Sequence, residues 1–405
     1  ITRPPPTSTL RRSRRQRQMC IRDSVNIIEK PELPGLIHEL DALLEQVETG
    51  KFKIEKKFED VHSKIEHELI ERLGDSGKRI HTGRSRNDQV LVALHLFYKS
   101  EIDEIKELVK ALFDQLIALS NQHQGEVMPG YTHSQIAMPS SFGLWFGAYA
   151  ESLIDDVILL NAAMKIVDQN PLGSGAGYGS AFPLDRTLTT DELGFETLKY
   201  NSIAAQMSRG KSEKSLSFAM ASVASTLSKL AMDICLYMNE NYGFVTFPKE
   251  LTTGSSIMPH KKNPDVFELV RAKSNKIQAL PTELTLITNN LPLGYHRDLQ
   301  LLKESIIPAI ITLKDCLTIT KFMLEHIIIK EDIMKDDKYT YLYSVENVNK
   351  LVKKGMSFRD AYKQVGQEIE EGTYKPNTHF KHSHEGSIGN LCNAEIVEKF
   401  NQAYL

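Results

Sequence analysis

The chain has 405 residues, a hydrophobic fraction of 41%, a mean hydropathy of -0.30 and a formal net charge of -3. A chain of this length and composition can bury a large core. It contains no run of roughly 18 apolar residues, which excludes a membrane-spanning class. No secretory leader is found either, so we expect a cytoplasmic globular protein. Four scattered cysteines, none in a Cys-x-x-Cys pair, exclude a zinc or disulfide framework.

The arginines are concentrated at the start of the chain. Residues 1–24 hold seven arginines and one acid, Asp23, so this segment carries a charge of +6 and the rest of the chain -9. A basic run of this kind can be a nucleic-acid-binding arm, but such runs are more often only solvated. The segment also resembles a translated sequencing-adapter remnant. We therefore predict that it is non-native or disordered, and we expect no nucleic-acid or membrane partner.

Long amphipathic patterns follow one another along the rest of the chain. Between Asp88 and Ser120, apolar residues recur at steps of three and four, which predicts a long helix. Residues 140–168 have no internal proline, and residues 212–240 are apolar almost all round, which is typical of an enclosed helix. A fourth helix is predicted over 299–330, with a kink at Pro308. No series of strand-like runs with hairpin turns competes with these helices.

These patterns predict an all-α fold with a long central helix bundle and two smaller flanking helical domains. The expected boundaries are 25–84 for an N-terminal domain truncated at its start, 85–331 for the bundle and 332–405 for a C-terminal domain. In the C-terminal domain, a short helix is expected to begin at Phe358, and residues 378–389 are expected to be a polar turn region. Long bundle helices would leave apolar faces uncovered, so we also expect a homo-oligomer with a many-helix core.

The first polar motif lies just before the first long helix. The segment His81–Gln89 contains Arg84, Arg86 and several hydrogen-bonding side chains at a helix N-terminus, where N–H groups favour carboxylates. A dicarboxylate would fit there. The alternative is an elaborate helix cap formed by Asn87 or Asp88, and both interpretations are compatible.

Three other polar segments carry weaker signals. His133, in the segment 130–135, could transfer protons near neutral pH, although a lone histidine is more often structural. The glycine-rich segment 171–180 follows a helix and lacks a Gly-Lys-Ser/Thr ending, so we interpret it as a tight connection that lines the site rather than a nucleotide loop. Three histidines near the C-terminus could form a metal tract but lack convincing partners, which favours a solvated tail: His379, His382 and His384.

The segment Gly254–Asp265 is the most informative in the chain. Its glycine permits close backbone approach, two serines offer hydroxyl and N–H groups, and Lys261 and Lys262 supply positive charge between two prolines. It is therefore interpreted as an anion-binding catalytic loop, with a solvated basic loop as the alternative. Further along, Tyr295 precedes a helix that carries Gln300 and Lys303 on one face, which alone is ordinary amphipathic surface.

From about Glu59 to the C-terminus these motifs together resemble the argininosuccinate lyase family of the fumarase/aspartase superfamily. The 254–265 loop is shared in form by the whole superfamily, whereas His81–Gln89 is similar to the argininosuccinate lyase version specifically. The segments that begin at Tyr295 and Phe358 also match that family's pattern.

The resemblance implies a lyase that reversibly cleaves argininosuccinate to arginine and fumarate by acid/base β-elimination, without a metal or organic cofactor. Ser255 would exchange the substrate proton, Lys261 would help to stabilise the serine alkoxide, and His133, paired with Glu268, would be the acid/base partner. Most of the catalysis would come from preorganised donors around the dianion that forms. The resemblance also assigns the substrate contacts: Ser85, Arg86, Asn87, Thr132, Asn263, Tyr295, Gln300 and Lys303.

The resemblance further implies a homotetramer whose active sites are each shared between three subunits. Two departures from the family pattern stand out. The chain before about Val25 lacks the usual N-terminal segment, which predicts impaired catalysis, and Met138 stands where many relatives have glutamine, which is expected to alter packing only. The alternatives are a sibling lyase acting on adenylosuccinate, fumarate or aspartate, and a non-catalytic crystallin-like relative.

Overall fold

The computed structural model describes residues 31–405, so the arginine-rich segment and the expectations placed on it lie outside the described residues. The prediction of an all-α fold is confirmed. The α-helices of the described chain are α1 (Leu33–Glu48), α2 (Val61–Leu73), α3 (Asp75–Arg79), α4 (Arg86–Gln122), α5 (Phe142–Val167), α6 (Arg186–Leu193), α7 (Ser202–Met238), α8 (Asp265–Thr288), α9 (Leu302–Leu324), α10 (Ser344–Lys353), α11 (Phe358–Glu370) and α12 (Asn393–Tyr404).

The long helices follow the apolar patterns of the sequence. In α4 the predicted stripe is buried, including Ile102, Ile105, Leu112, Leu116 and Leu119. Helix α5 matches its predicted range to within two residues, whereas α7 begins ten residues earlier than predicted, and α9 ends at Leu324. Helix α9 continues through Pro308. Helix α8 was not predicted, because Pro281 and many charged residues weaken its apolar stripe. Helix α11 begins at Phe358, as predicted.

Short strands connect the helices. They are β1 (Val127–Thr132), β2 (Gln135–Ser141), β3 (Gln169–Asn170), β4 (Thr197–Leu198), β5 (Val245–Thr246), β6 (Thr253–Gly254), β7 (Lys262–Asn263) and β8 (Ile328–Ile329). Strands β3 and β4 pair in parallel, and the pairs β1–β2, β5–β8 and β6–β7 are antiparallel. The sequence pattern predicts no hairpin, and the β1–β2 hairpin corrects that prediction. Both strands contain a proline, which is unfavourable inside a strand and concealed the pattern.

The chain forms two compact units. The first unit contains the described chain to Lys106 with residues 159–222 and 277–312, and the second contains 107–158, 223–276 and 313–405. Each long helix contributes to both. Two small hydrophobic clusters lie in the flanking regions, one around Leu40 and Leu69 and the other around Val348 and Val365. The predicted division at 84/85 and 331/332 stays a prediction.

Helix α7 has a sharp kink that lies in the first unit. Arg209 and Gly210 have non-helical torsions, and Gly210 has φ +87, a left-handed conformation that favours glycine. A methyl group on Gly210 would lie 2.7 Å from Cγ2 of Thr288. The kink therefore needs glycine for two reasons, backbone conformation and space.

We expect Gly210→Ala to destabilise the protein by about 2 kcal/mol or more, because the alanine is strained at this φ and collides with Thr288. Denaturant unfolding at fixed protein concentration measures the change. Gly366→Ala is the matched control: it lies inside α11, has no neighbour within 4 Å of the added methyl group and should be neutral or slightly stabilising. Equal stabilities for the two variants would contradict the role of the kink.

Among the described residues, α7 alone is long and apolar enough to cross a membrane, with a mean hydropathy of 1.3 in its best window, 44% of which is buried. Core helices of bundles pass the same test. In the second unit, the Asp233 carboxylate of α7 accepts hydrogen bonds from Trp145 Nε1 at 3.1 Å and the Tyr149 hydroxyl at 2.6 Å. These contacts are those of a core helix.

Candidate active site

The N-terminus of α4, in the first unit, is closed by a reciprocal pair of hydrogen bonds. The Ser85 hydroxyl oxygen accepts from the Asn87 backbone N–H at 3.2 Å, and Asp88 Oδ1 accepts from the Ser85 backbone N–H at 3.3 Å. This pair resembles a capping box, except that the Ser85 hydroxyl accepts from the N–H two residues on instead of three, and Ser85 and Asp88 together form the cap. Within the described chain, the Asn87 side chain makes no hydrogen bond and is left available.

The second oxygen of Asp88 binds the glycine-rich segment. Asp88 Oδ2 accepts from the backbone N–H groups of Gly173 at 3.1 Å and Gly175 at 3.0 Å. Asp88 is fully buried, and burial raises its pKa to about 6, although these N–H groups and the nearby Arg84 oppose the rise. The segment 171–180 therefore lies against the start of α4, which agrees with its interpretation as a site-lining connection.

We expect the stability of the protein to depend on the ionisation of Asp88. Its folded pKa, about 6, lies above the ordinary 3.8, so the folded state binds the proton more tightly. The resulting stabilisation is complete below pH 3.8 and is lost as the pH rises through 6. The loss is about 3 kcal/mol. In Asp88→Asn this contribution is absent, so the difference in unfolding free energy between wild type and variant should change by that amount from about pH 4 to 7. Parallel curves of unfolding free energy against pH for the wild type and Asp88→Asn would contradict the raised pKa of Asp88.

Charged side chains join the start of α4 to the segment before α9. Arg86 Nη1 donates to Glu59 Oε2 at 2.7 Å, and Arg297 Nη2 donates to Glu59 Oε1 at 3.2 Å. Arg86 Nε also lies 3.6 Å from Asp60 Oδ2. The carboxylate of Glu59 thus bridges two motifs that are more than two hundred residues apart in sequence. The candidate Arg86 is thus connected through Glu59 to the 3₁₀ turn Arg297–Gln300, which contains the candidate Gln300.

The other candidates in the first unit lie around the 3₁₀ turn Arg297–Gln300. Gln300 Nε2 donates to the Tyr295 hydroxyl oxygen. Lys303, in the first turn of α9, is partly buried, and its pKa is lowered by that burial and then by the positive charge of Arg209. The negative charge of Asp60 raises the pKa of Lys303 and so opposes this lowering. The predicted trio Tyr295, Gln300 and Lys303 is therefore one local cluster.

The serine loop lies in the second unit, between two paired strands. β6 and β7 pair Thr253 with Asn263 and Gly254 with Lys262, and this pairing brings the two ends of the loop together. Ser255 Oγ accepts from the backbone N–H groups of Ile257 at 3.3 Å and Met258 at 3.1 Å. Most of the loop, including Lys261, is exposed to solvent. The serine oxygen thus faces two N–H donors in an accessible loop.

Thr132 and His133 lie at the tip of the β1–β2 hairpin. Thr132 pairs with Gln135, and His133 and Ser134 form the two-residue turn with φ of 52 and 59. Positive φ at both turn positions is typical of a type I′ turn, which presents the side chains at the hairpin end. His133 is exposed, as is Glu268 in the first turn of α8. Within the described chain, no hydrogen bond or ion pair joins His133 to Glu268, so their pairing stays a prediction.

Several supporting residues of the first unit are not predicted from the sequence. Glu59 and Asp60 mark the start of the family resemblance in the sequence but are not among the predicted site residues. Asp60 is also the cap of α2, where its Oδ1 accepts from the Ser63 N–H at 2.8 Å. Arg209 lies outside the helix predicted over 212–240, because the apolar pattern begins only after the break at Gly210.

The C-terminal histidine tract differs from its interpretation as a solvated tail. The segment is irregular and polar, as predicted, but His382 Nε2 lies 2.9 Å from Oε1 of the buried Glu346. In the part of the chain that the structure describes, no group of three or more His, Cys, Asp or Glu side chains is placed to hold a metal ion. His382 therefore connects this segment to α10.

The chemistry available differs between the two units. The first unit offers cations and amide groups at the start of α4 and α9, which suit carboxylates. The second offers a serine oxygen, a lysine, an exposed histidine and a carboxylate, which suit proton transfer.

Comparisons with known proteins give the family. A family model described as Lyase matches residues 21–279. The argininosuccinate lyase of Parabacteroides distasonis is 58% identical over 375 residues, covering 93% of this chain and 84% of that protein, and the one of Bacteroides thetaiotaomicron is 57% identical over 380 residues, covering 94% and 85%. A crystal structure of EDDS lyase in complex with formate has a similar fold, with a TM-score of 0.81 at 20% identity, covering 98% of this chain and 86% of that one. The chain belongs to the argininosuccinate lyase family.

Proposed function

We propose that this protein is a carbon–nitrogen lyase that reversibly cleaves argininosuccinate into arginine and fumarate, a step of arginine biosynthesis. Identity of 58% with an argininosuccinate lyase over 93% of the chain supports the reaction and the substrate. The structural observation that carries the proposal is the environment of Ser255, whose Oγ accepts two backbone N–H groups in an accessible loop. Such donors stabilise an oxygen that must become negatively charged.

In the proposed mechanism, Ser255 removes the proton from the carbon next to a carboxylate of the succinyl part. A serine hydroxyl is a weak base, and the N–H groups of Ile257 and Met258, with the positive charge of Lys261, favour its alkoxide. The electron pair left on carbon is delocalised into the carboxylate. Lys261 and Asn263 then close over the fumaryl carboxylate as the dianion forms.

The leaving group is the guanidinium nitrogen of arginine. As the C–N bond breaks, that nitrogen takes a proton from His133, and the electron pair on carbon forms the double bond of fumarate. In the proposed site Glu268 is the partner of His133 and orients the imidazole toward the leaving group. The exposed position of His133 at a hairpin tip supports a role toward a group outside its own hairpin.

The remaining candidates hold the substrate. Ser85, Arg86 and Asn87 provide hydrogen bonds and positive charge at a helix N-terminus, where a carboxylate is favoured. Thr132 lies beside the proton-transfer histidine. The cluster of the first unit completes the set: Tyr295, Gln300 and Lys303.

We also propose a homotetramer in which each active site takes its motifs from three subunits. Apolar side chains on the long helices remain exposed in the single chain, which supports further burial between subunits. In the first unit these include Leu159, Phe218 and Leu286, and in the second Ile158, Met232 and Leu269. The proposed reaction uses no metal or organic cofactor, no nucleic acid and no membrane, and its location is the cytoplasm.

The direct test mixes purified protein with argininosuccinate and follows fumarate by its ultraviolet absorbance, with sedimentation to establish the oligomeric state. Fumarate release by a tetramer supports the proposal. An assembled tetramer that releases none from argininosuccinate, but does from adenylosuccinate or aspartate, would overturn the substrate assignment in favour of a sibling lyase.

A further inference from the structure

The kink of α7 carries a buried cation that the proposed mechanism does not use. Arg209 is 7% exposed, and Gly210 follows it with left-handed torsions. Had α7 continued without a break, the side chain at this position would have followed the regular helical direction. The kink instead places the guanidinium against the 3₁₀ turn Arg297–Gln300, which precedes α9.

Two contacts of Arg209 fall on that segment. Its Nη2 donates to the Leu299 carbonyl oxygen at 3.2 Å, and its guanidinium carbon lies 6.0 Å from the centre of the Tyr295 ring. The first contact fastens the 3₁₀ turn, and the second is at the limit for a cation–π interaction. Gln300 and Lys303 follow on the same turn and the next helix.

The polar groups around Arg209 are hydrogen-bonded to one another but leave one Arg209 donor without a partner in the described chain. Glu213 is 1% exposed and accepts from the Gly210 N–H at 2.7 Å and the Tyr98 hydroxyl at 3.3 Å. Burial raises the pKa of Glu213, and the positive charge of Arg209 partly opposes that rise. Arg209 Nε has no hydrogen-bond partner in the described chain. An unsatisfied buried donor is costly, so stability alone does not account for a cation here.

We propose that Arg209 is a positioning residue for the substrate-contact cluster Tyr295, Gln300 and Lys303. It holds the turn at the Leu299 carbonyl and the face of the Tyr295 ring, so that the three side chains are in place before substrate arrives. This role rests on the proposed function. Arg209 itself does not touch the reacting atoms.

The charges around Lys303 agree with this arrangement. Burial and the positive charge of Arg209 lower the Lys303 pKa, and three acidic groups oppose them: Asp60, Glu304 and Glu213. Arg209 therefore acts on the cluster through both geometry and charge.

The test uses kinetics of fumarate release with argininosuccinate as substrate. The double variant Arg209→Met/Glu213→Gln removes both buried charges, which avoids leaving one of them unpaired. We expect its KM to rise at least about tenfold while kcat changes by less than about threefold, because substrate contacts are misplaced and the proton-transfer groups are not. Glu213→Gln alone lowers stability, because it leaves the Arg209 charge without its acidic neighbour. It still accepts from the Gly210 N–H and leaves the Arg209 contacts with Leu299 and Tyr295 unchanged, so the folded enzyme should keep a wild-type KM.

Arg209→Lys covers the case in which the double variant does not assemble. It keeps the charge opposite Glu213 but lacks the planar fork that reaches both Leu299 and Tyr295, so its KM should also rise. A wild-type KM in either Arg209 variant, or an equal rise in Glu213→Gln, would overturn the inference. Absence of fumarate release by the wild-type tetramer would instead count against the proposed function, which keeps the two failures distinguishable.

Discussion

Ser255→Ala should abolish fumarate release, with a loss of at least about a thousandfold in kcat. The variant removes the oxygen that accepts the Ile257 and Met258 N–H groups, and with it the proposed base. Because the loop is exposed, water replaces the lost acceptor, so the cost to folding is small. Fumarate absorbance after addition of argininosuccinate measures the loss.

The neighbouring serine provides the control. Ser256 is exposed, and its side chain has no hydrogen bond in the described part of the chain, so Ser256→Ala removes a hydroxyl of the same kind without touching the proposed base. It should lower kcat by far less than Ser255→Ala. Both variants must sediment as the wild type does. Comparable losses in the two variants, or an active Ser255→Ala, would remove Ser255 from the mechanism.

Mixing two inactive variants should restore activity. Asn87→Ala removes a substrate contact whose side chain has no hydrogen bond within the described chain, and Ser255→Ala removes the base in the other unit. If each active site combines these motifs from different subunits, random reassembly of equal amounts leaves up to about a quarter of the sites intact. The two variants are unfolded together, refolded and assayed for fumarate release.

The matched control mixes Ser255→Ala with Lys261→Ala. Both residues lie in the loop between β6 and β7, so they reach any site from the same subunit and every site keeps one defect. This mixture should stay inactive. Equal recovery in the two mixtures, or no recovery in the first, would contradict active sites shared in the proposed way.

Most of the fold was predictable because its helices are long and their apolar stripes are buried. The stripe of α4 determined that helix to within two residues at each end. Elements with weaker periodicity were missed. Prolines concealed the β1–β2 hairpin, and Pro281 with many charged residues concealed α8. The turn residues His133 and Ser134 also differ from the Asn-Gly or Asp-Gly pairs that mark a two-residue hairpin turn in a sequence.

The sequence by itself determined the family of this protein, because its motifs combine specific residue types within a few positions of each other. Ser85 to Asp88 form one helix cap, and Ser255 to Lys261 form one loop. Only the tertiary structure decided what supports them. Glu59 joins Arg86 to Arg297, and Arg209 reaches Leu299, across separations of 27, 238 and 90 residues. Such contacts depend on how helices pack and kink, and a pattern of neighbouring residues does not encode them.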